Sequence, residues 1–170
     1  DENRRELLCQ IIKDIKAQEV ARRLEWVVFD KTGTLTLGEF GVDRIVGAKP
    51  DEVLEIASSI DTLSQHSIAR AIVAEAGKKK IKLEKPENFI SFPGRGVAGK
   101  VGGSSYFLGN EALMNEKKVS LENLKKEIAK EIEEGKSFIW VAKEKNSEPI
   151  GVIVLSDIIR EESRAAIKKL

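Results

Sequence analysis

Two stretches of the chain carry apolar residues almost without interruption and close on an aspartate. One is Trp26-Val27-Val28-Phe29 before Asp30, and the other is "PIGVIVLSD" from 149 to Asp157. A run that leaves no polar face for water predicts a strand buried on both faces. After the second run, "REESRAAIKKL" places Ala165, Ala166 and Leu170 at helical intervals. Buried strands followed by a loop and a helix are pieces of a doubly wound sheet, in which ligands gather at the carboxyl ends of the strands. The two runs are therefore predicted to be parallel neighbours, with Asp30 and Asp157 on one edge. Residues 1 to 23 have apolar positions from Leu7 to Val20 at helical spacing and predict a helix.

Between the runs the pattern changes, over a length too great for one crossover connection. Pro50 opens a predicted helix through "PDEVLEIASSIDTLS", and "HSIARAIVAEAG" predicts another that ends at Gly77. Short strands follow in "NFISF", "GVAGKV" and "SSYFLG", punctuated by Pro93, Gly94 and the pair Gly102-Gly103. "SLENLKKEIAKEIEEG" reads as one helix capped by Ser120 and closed by Gly135, and "SFIWVAKE" as a further strand. The expected organisation is an α/β parallel-sheet domain in two parts, residues 1–37 and 148–170, around an inserted α+β domain, residues 38–147, with an antiparallel sheet.

Composition narrows the function classes. A formal net charge of +1 provides no basic field for a nucleic-acid partner. Cys9 is the only cysteine, so no disulfide can form within the chain. No stretch approaches the ~18 to 20 consecutive apolar residues of a membrane helix, so this piece is expected not to be membrane-embedded. His66, the only histidine, has no second histidine with which to ligate a metal.

The chemistry concentrates after Asp30. Lys31, Thr32, Gly33, Thr34 and Thr36 supply a cation, hydroxyls and a glycine able to take unusual dihedrals, which suits a loop that holds an anion. A carboxylate there is a candidate nucleophile for phosphoryl transfer, although an aspartate after a strand can also simply cap a turn. "DKTGTLT", residues 30 to 36, matches over seven positions the phosphorylation motif of P-type ATPases, a branch of the haloacid dehalogenase superfamily. The resemblance implies that Asp30 is phosphorylated, that Lys31 belongs to the same catalytic loop, that the Thr32 carbonyl helps bind Mg²⁺, and that Thr34 contacts the transferred phosphoryl group. Phosphatases of the superfamily carry a second aspartate two places after the nucleophile as general acid and base, a group typically worth ~10²- to 10⁴-fold. Thr32 cannot move that proton at neutral pH, so the covalent phosphate would persist.

The insertion resembles the nucleotide-binding domain of heavy-metal-transporting P-type ATPases in four places. "SQHSIARAI" is similar to the Ser-Glu-His-Pro motif, with His66 in the position that meets adenine, Gln65 where glutamate is common and Ser67 where proline is usual. Asp61, five residues before, stands where an acidic residue lies near the adenine amine. "PGRGVAGKVGG" contains GxGxxG but leads into a strand rather than a helix, which excludes a dinucleotide fingerprint. By itself it could be a plain hairpin; by resemblance, Gly94 and Gly96 let a nucleotide lie against backbone. Asn110 in "FLGN" is placed beside the nucleotide. "LSDIIR" sets Asp157 and Arg160 on an Asp-x-x-Arg pattern at the hinge, where a guanidinium can grip a phosphate in two-pronged fashion. An ordinary surface ion pair is the alternative for those two.

The resemblance implies the cytosolic ATP-binding part of a metal-exporting P-type ATPase, with copper the expected cargo. It implies ATP and Mg²⁺ as ligands, transmembrane and actuator domains as partners, and a place on the cytoplasmic face of a membrane. The later motifs of the family, which complete its magnesium site, do not occur in the sequence, so binding is expected to outlast catalysis in this piece. A soluble phosphatase with a large cap and a non-catalytic nucleotide-binding module are the other classes the residues permit.

Overall fold

The computed structural model describes residues 25–146 and 148–169. The chain divides after Lys31 into two units. Of the first, residues 25–30 are exposed and without regular secondary structure. The helix expected over residues 1–23 lies outside the described residues.

The second unit is built on one six-stranded sheet. Its strands are β1 (Thr36–Gly47), β2 (Glu87–Phe92), β3 (Gly96–Val101), β4 (Ser104–Gly109), β5 (Ser137–Lys143) and β6 (Gly151–Ile159). Their spatial order is β1-β6-β5-β4-β3-β2, and every neighbouring pair is antiparallel. Helices α1 (Pro50–Asp61) and α2 (Ser67–Lys78) pack on one face. The short helices α3 (Glu111–Glu116), α4 (Glu122–Glu127) and α5 (Ala129–Glu133) lie toward the other, and α6 (Glu161–Ile167) follows β6.

The sequence pattern explains β6 once its surroundings are known. Ile153 and Leu155 join Leu54, Ile60 and Ile72 in the core under α1 and α2, while Val152 and Val154 join Leu113, Met114 and Ile128 in the core on the opposite face. Both faces are covered, so the strand shows no polar alternation. The run is a buried strand as expected, but its neighbours are not parallel. It pairs with β1 on one edge and β5 on the other, both antiparallel. Continuous apolarity reports burial of both faces and is silent about strand direction.

That pairing also accounts for a second departure. Residues 26–29 form no strand, and Trp26 and Val28 are 85% and 94% exposed. With β1 and β5 on its two edges, β6 offers no free ladder to another strand. The strand that occupies the place is β1, whose mixed sequence "TLGEFGVDRIVG" carries register shifts between Thr36 and Phe40 and between Val42 and Arg44. Those shifts break the period of two by which a strand is recognised. β1 thus runs through residues 37 and 38, and β6 shares one sheet with β5.

Other elements follow their local signals. Pro50 sits at the start of α1 as expected, where a missing N–H costs nothing. Gly102 and Gly103 adopt φ of 55° and 76° in the tight β3–β4 turn. Three helix ends differ. Gly77 lies inside α2, and the left-handed residue after it is Lys80, with φ 55°. The helix expected from Ser120 to Gly135 is broken at Ile128 (φ −113°, ψ 20°) into α4 and α5, and the residue before α4 is Leu121, not Ser120. Ile128 is fully buried, so core packing overrides a strong local helical propensity there.

Candidate nucleotide site

One end of the sheet is built from close backbone approaches. Gly96 opens β3 opposite Gly109 at the end of β4, and Gly109 lies opposite Trp140 of β5. A Cβ on Gly96 would meet the Leu108 carbonyl oxygen at 2.1 Å, and one on Gly109 would meet the Arg95 carbonyl oxygen at 2.2 Å. Both glycines are therefore demanded by strand pairing itself. The α1–α2 loop comes to the same end, because α1 finishes at Asp61 and α2 begins after His66.

Between these pieces lies a cavity of ≈ 510 Å³. Ile68, Ala69, Val97, Leu108 and Ile139 give it an apolar floor, and Asp61, Ser64, His66, Arg95, Asn110 and Glu111 bring polar groups to its wall. Size, apolar lining and a few convergent polar groups are what a small-molecule site requires. Five residues singled out in the sequence, Asp61, His66, Gly94, Gly96 and Asn110, line it together.

Each has a distinct local role. His66 is the N-cap of α2: its Nδ1 accepts a hydrogen bond from Ile68 N at 3.3 Å. In the neutral ring this leaves Nε2–H as a donor. Ser67 is the first helical residue, the position proline favours. Asp61 is only 7% exposed, and among the described residues no hydrogen-bond or ion-pair partner reaches its carboxyl. Burial accordingly pushes its pKa up to about 7 from an ordinary 3.8. Gly94 has φ 70°, and a Cβ there would meet nothing within 4 Å. Its requirement is conformational alone, whereas Gly96, at φ 151°, is fixed by both backbone conformation and space.

Asn110 has both ends of its amide engaged. Its Nδ2 donates to the Gly94 carbonyl at 3.0 Å, and its Oδ1 accepts from Leu113 N at 3.1 Å as the N-cap of α3. It thus positions the Gly94 turn at the cavity mouth. Sequence reasoning passed over the wall formed by Ser137, Phe138, Ile139 and Trp140. "SFIWVAKE" is legible as a strand, but which cavity its first half meets depends on sheet order. The buried indole N–H of Trp140 has no hydrogen-bond partner among the described residues.

The remaining nominated residues lie elsewhere. Asp157 and Arg160 do not line the cavity. Asp157 sits on β6 opposite Phe40. Arg160 holds the turn before β1: its Nε donates to the Thr36 carbonyl at 3.1 Å, its Nη2 to the Gly33 carbonyl at 3.3 Å, and its backbone N to the Leu35 carbonyl at 3.0 Å. In that turn Gly33 takes φ 81°, the unusual dihedral expected of it, and its N–H donates to Thr36 Oγ1 at 3.3 Å. Thr32 and Thr34 are exposed on the same turn, and Asp30 and Lys31 belong to the first unit. Among the described residues no group of three or more His, Cys, Asp or Glu side chains is placed to hold a metal ion.

With the geometry in hand, similarity to known proteins places the chain. The profile of the haloacid dehalogenase-like hydrolases matches residues 24–170. The chain belongs to this family, which bears out the fold class read from the sequence. Its relatives are heavy-metal P-type ATPases. It is 44% identical over 166 residues to the copper-exporting P-type ATPase B of Archaeoglobus fulgidus, an alignment that covers 94% of this chain and 23% of that protein. Among solved structures it is similar to a zinc-transporting PIB-type ATPase in the E2.Pi state, with a TM-score of 0.72 at 27% identity over 83% of this chain and 23% of the other. It is also similar to the catalytic domain of the CPx-ATPase CopB-B, in a structure concerned with conformational change upon nucleotide binding (TM-score 0.62, 28% identity, 94% of this chain and 54% of that one). The chain spans less than a quarter of the length of the curated relatives it matches. Among the described residues no helix is long and apolar enough to cross a membrane.

Proposed function

We propose that this chain is the ATP-binding catalytic portion of a P-type ATPase that exports a heavy-metal ion, copper being the favoured cargo. The observation that carries the reading is the convergence of Asp61, His66, Gly94, Gly96 and Asn110, from separate stretches of sequence, on one cavity. In this reading adenine enters the apolar floor, its amine meets Asp61, and the His66 ring lies against it. Asp30 receives the γ-phosphoryl group in the loop shared with Lys31, Thr32 and Thr34, and Mg²⁺ accompanies the phosphates. The aspartyl phosphate forms as the Asp30 carboxylate oxygen bonds to the γ-phosphorus and the bond to ADP breaks. Thr32 leaves no general base to hydrolyse it at once, which favours a pump over a phosphatase.

We further assign residues 1–37 and 148–170 to the phosphorylation domain and residues 38–147 to the nucleotide-binding domain, with β6 completing the sheet of the latter before Asp157 and Arg160 lead out at the hinge. In the intact protein closure of the two would deliver ATP to Asp30, and phosphorylation would switch a transmembrane site through the actuator domain, with this portion on the cytoplasmic face.

The test is calorimetric titration of ATP, ADP, AMP and GTP into the chain and into a His66→Ala variant. Adenine-selective binding weakened by the substitution supports the reading. Binding indifferent to base and to His66 overturns it. In the intact pump Asp30→Asn should abolish the acid-stable phosphoenzyme, and labelled protein persisting in that variant would exclude Asp30 as the acceptor.

A further inference from the structure

Resting on the reading of the cavity as a nucleotide site, we infer that Arg95 is the residue by which this chain discriminates nucleotides by their phosphates, and that Glu116 holds it in reserve. Among the described residues that line the cavity, Arg95 is the only lysine or arginine, set against the carboxylates of Asp61 and Glu111. A nucleoside triphosphate carries several negative charges into that wall, and a guanidinium is the side chain suited to grip them.

The loop is built to present this side chain. Arg95 N donates to the Phe92 carbonyl and its own carbonyl accepts from Asn110 N, both at 2.9 Å. Gly94 and Gly96 flank it with positive φ. The backbone is pinned on both sides, so the freedom left at this position is that of the side chain, which is 44% exposed.

Its present partner is Glu116, at the end of α3, through Nη1 and Oε2. The other oxygen of Glu116, Oε1, accepts from Lys117 Nζ at 3.1 Å. Lys117 is itself held in place, its ammonium 5.0 Å from the ring centre of Phe92 and 5.2 Å from that of Phe107. Glu116 thus serves two cations and keeps one when Arg95 departs. The swing of Arg95 from Glu116 to a phosphate strands no charge, and an exposed ion pair of this kind opposes it only weakly. Lys117, committed to the two rings and to Glu116, stays behind.

The test compares adenosine, AMP and ATP by calorimetry on the 170-residue chain, its Arg95→Ala, Arg95→Lys and Glu116→Gln variants, with urea denaturation to establish that each is folded. Arg95→Ala should weaken ATP on the order of tenfold and leave adenosine within about twofold. It should also flatten the salt dependence of ATP binding, and Arg95→Lys should restore part of the loss. Glu116→Gln, by removing the competitor, should tighten ATP several-fold without changing adenosine. Equal weakening of adenosine and ATP by Arg95→Ala would reduce Arg95 to a structural element of the loop and overturn the inference, as would an unchanged ATP affinity. Wild-type protein that binds neither adenosine nor ATP would overturn the nucleotide reading itself, and the inference with it.

Discussion

The side-chain amide of Asn110 ties the Gly94 turn to helix α3, donating to the Gly94 carbonyl at 3.0 Å while accepting from Leu113 N at 3.1 Å. The two bonds can be separated by substitution. Asn110→Asp keeps the capping oxygen but sets a carboxylate against a carbonyl, whereas Asn110→Ala loses both. Asn110→Ala should cost about 1–2 kcal/mol in urea unfolding and weaken ATP. Asn110→Asp should retain most of the stability and still weaken ATP, because the turn is released. Equal stability loss in both variants would show that the bond to Gly94, and not the cap, dominates.

Asp61 should make folding depend on pH and, if the cavity takes adenine as proposed, binding as well. The unfolded chain releases its proton near 3.8 and the folded protein near 7. Between those values the folded state holds a proton that the unfolded state has lost, so the stability present at low pH declines as pH rises from about 4 to 7 and is level beyond. Asp61→Asn removes this dependence. The variant should be more stable than wild type at pH 8, by on the order of 1–4 kcal/mol, and nearly equal to it at pH 4. Urea midpoints at the two pH values measure this. An adenine amine that donates to the carboxylate favours its ionised form, so ATP should bind more tightly as pH rises through 7, with proton release visible as a buffer-dependent enthalpy. A flat profile would mean that Asp61 does not receive the amine.

Gly94 and Gly96 flank one residue but should fail differently. Gly96→Ala places a methyl 2.1 Å from the Leu108 carbonyl oxygen, and the β3–β4 pairing must part to accept it. Gly94→Ala meets open space and suffers only the left-handed φ, roughly 1–2 kcal/mol. Thermal melts should find Gly96→Ala severely destabilised, with loss of cooperative unfolding, and Gly94→Ala folded.

Ser67→Pro should stabilise the protein. The position is the first of α2, and His66 before it already has φ −66° and ψ 145°, the extended geometry that precedes a proline. The gain expected from a less flexible unfolded chain is ~0.4–1 kcal/mol. It would appear as a higher melting temperature, while ATP affinity stays within about twofold. Destabilisation would mean that the Ser67 N–H or hydroxyl carries a bond that α2 needs.

Features whose cause is local can be read along the chain before any tertiary contact exists. Pro50 and His66 mark helix starts because an unpaired N–H must be capped or absent within a residue or two of the signal, whereas the cap that Asn110 places on α3 emerged only in the structure. Gly33, Gly94 and the Gly102-Gly103 pair mark turns because positive φ is costly for other residues. The strands β2 to β5 and both long helices followed from their residue types and from the prolines and glycines that punctuate them. Asp61, His66, Gly94, Gly96 and Asn110, which line one cavity, were nameable because a family resemblance placed each in or beside a short motif.

Features that depend on partners remote in sequence took shape only on folding. Burial on both faces made 151–155 a strand, but its direction and neighbours came from pairing with β1 and β5. Strand β1 escaped notice because its register shifts erase the alternation that would announce it. Helix 120–135 broke at Ile128 because the core claimed that side chain. Arg160 turned to the Gly33 and Thr36 carbonyls, a choice among acceptors that only folded geometry offers. Arg95 acquired its meaning in the same way: between two glycines it is an ordinary loop residue, and sheet order placed it as the one lysine or arginine among the described residues on the cavity wall. Local sequence specifies dihedrals and caps, whereas pairing, burial and charge neighbourhoods exist only once distant segments share a surface.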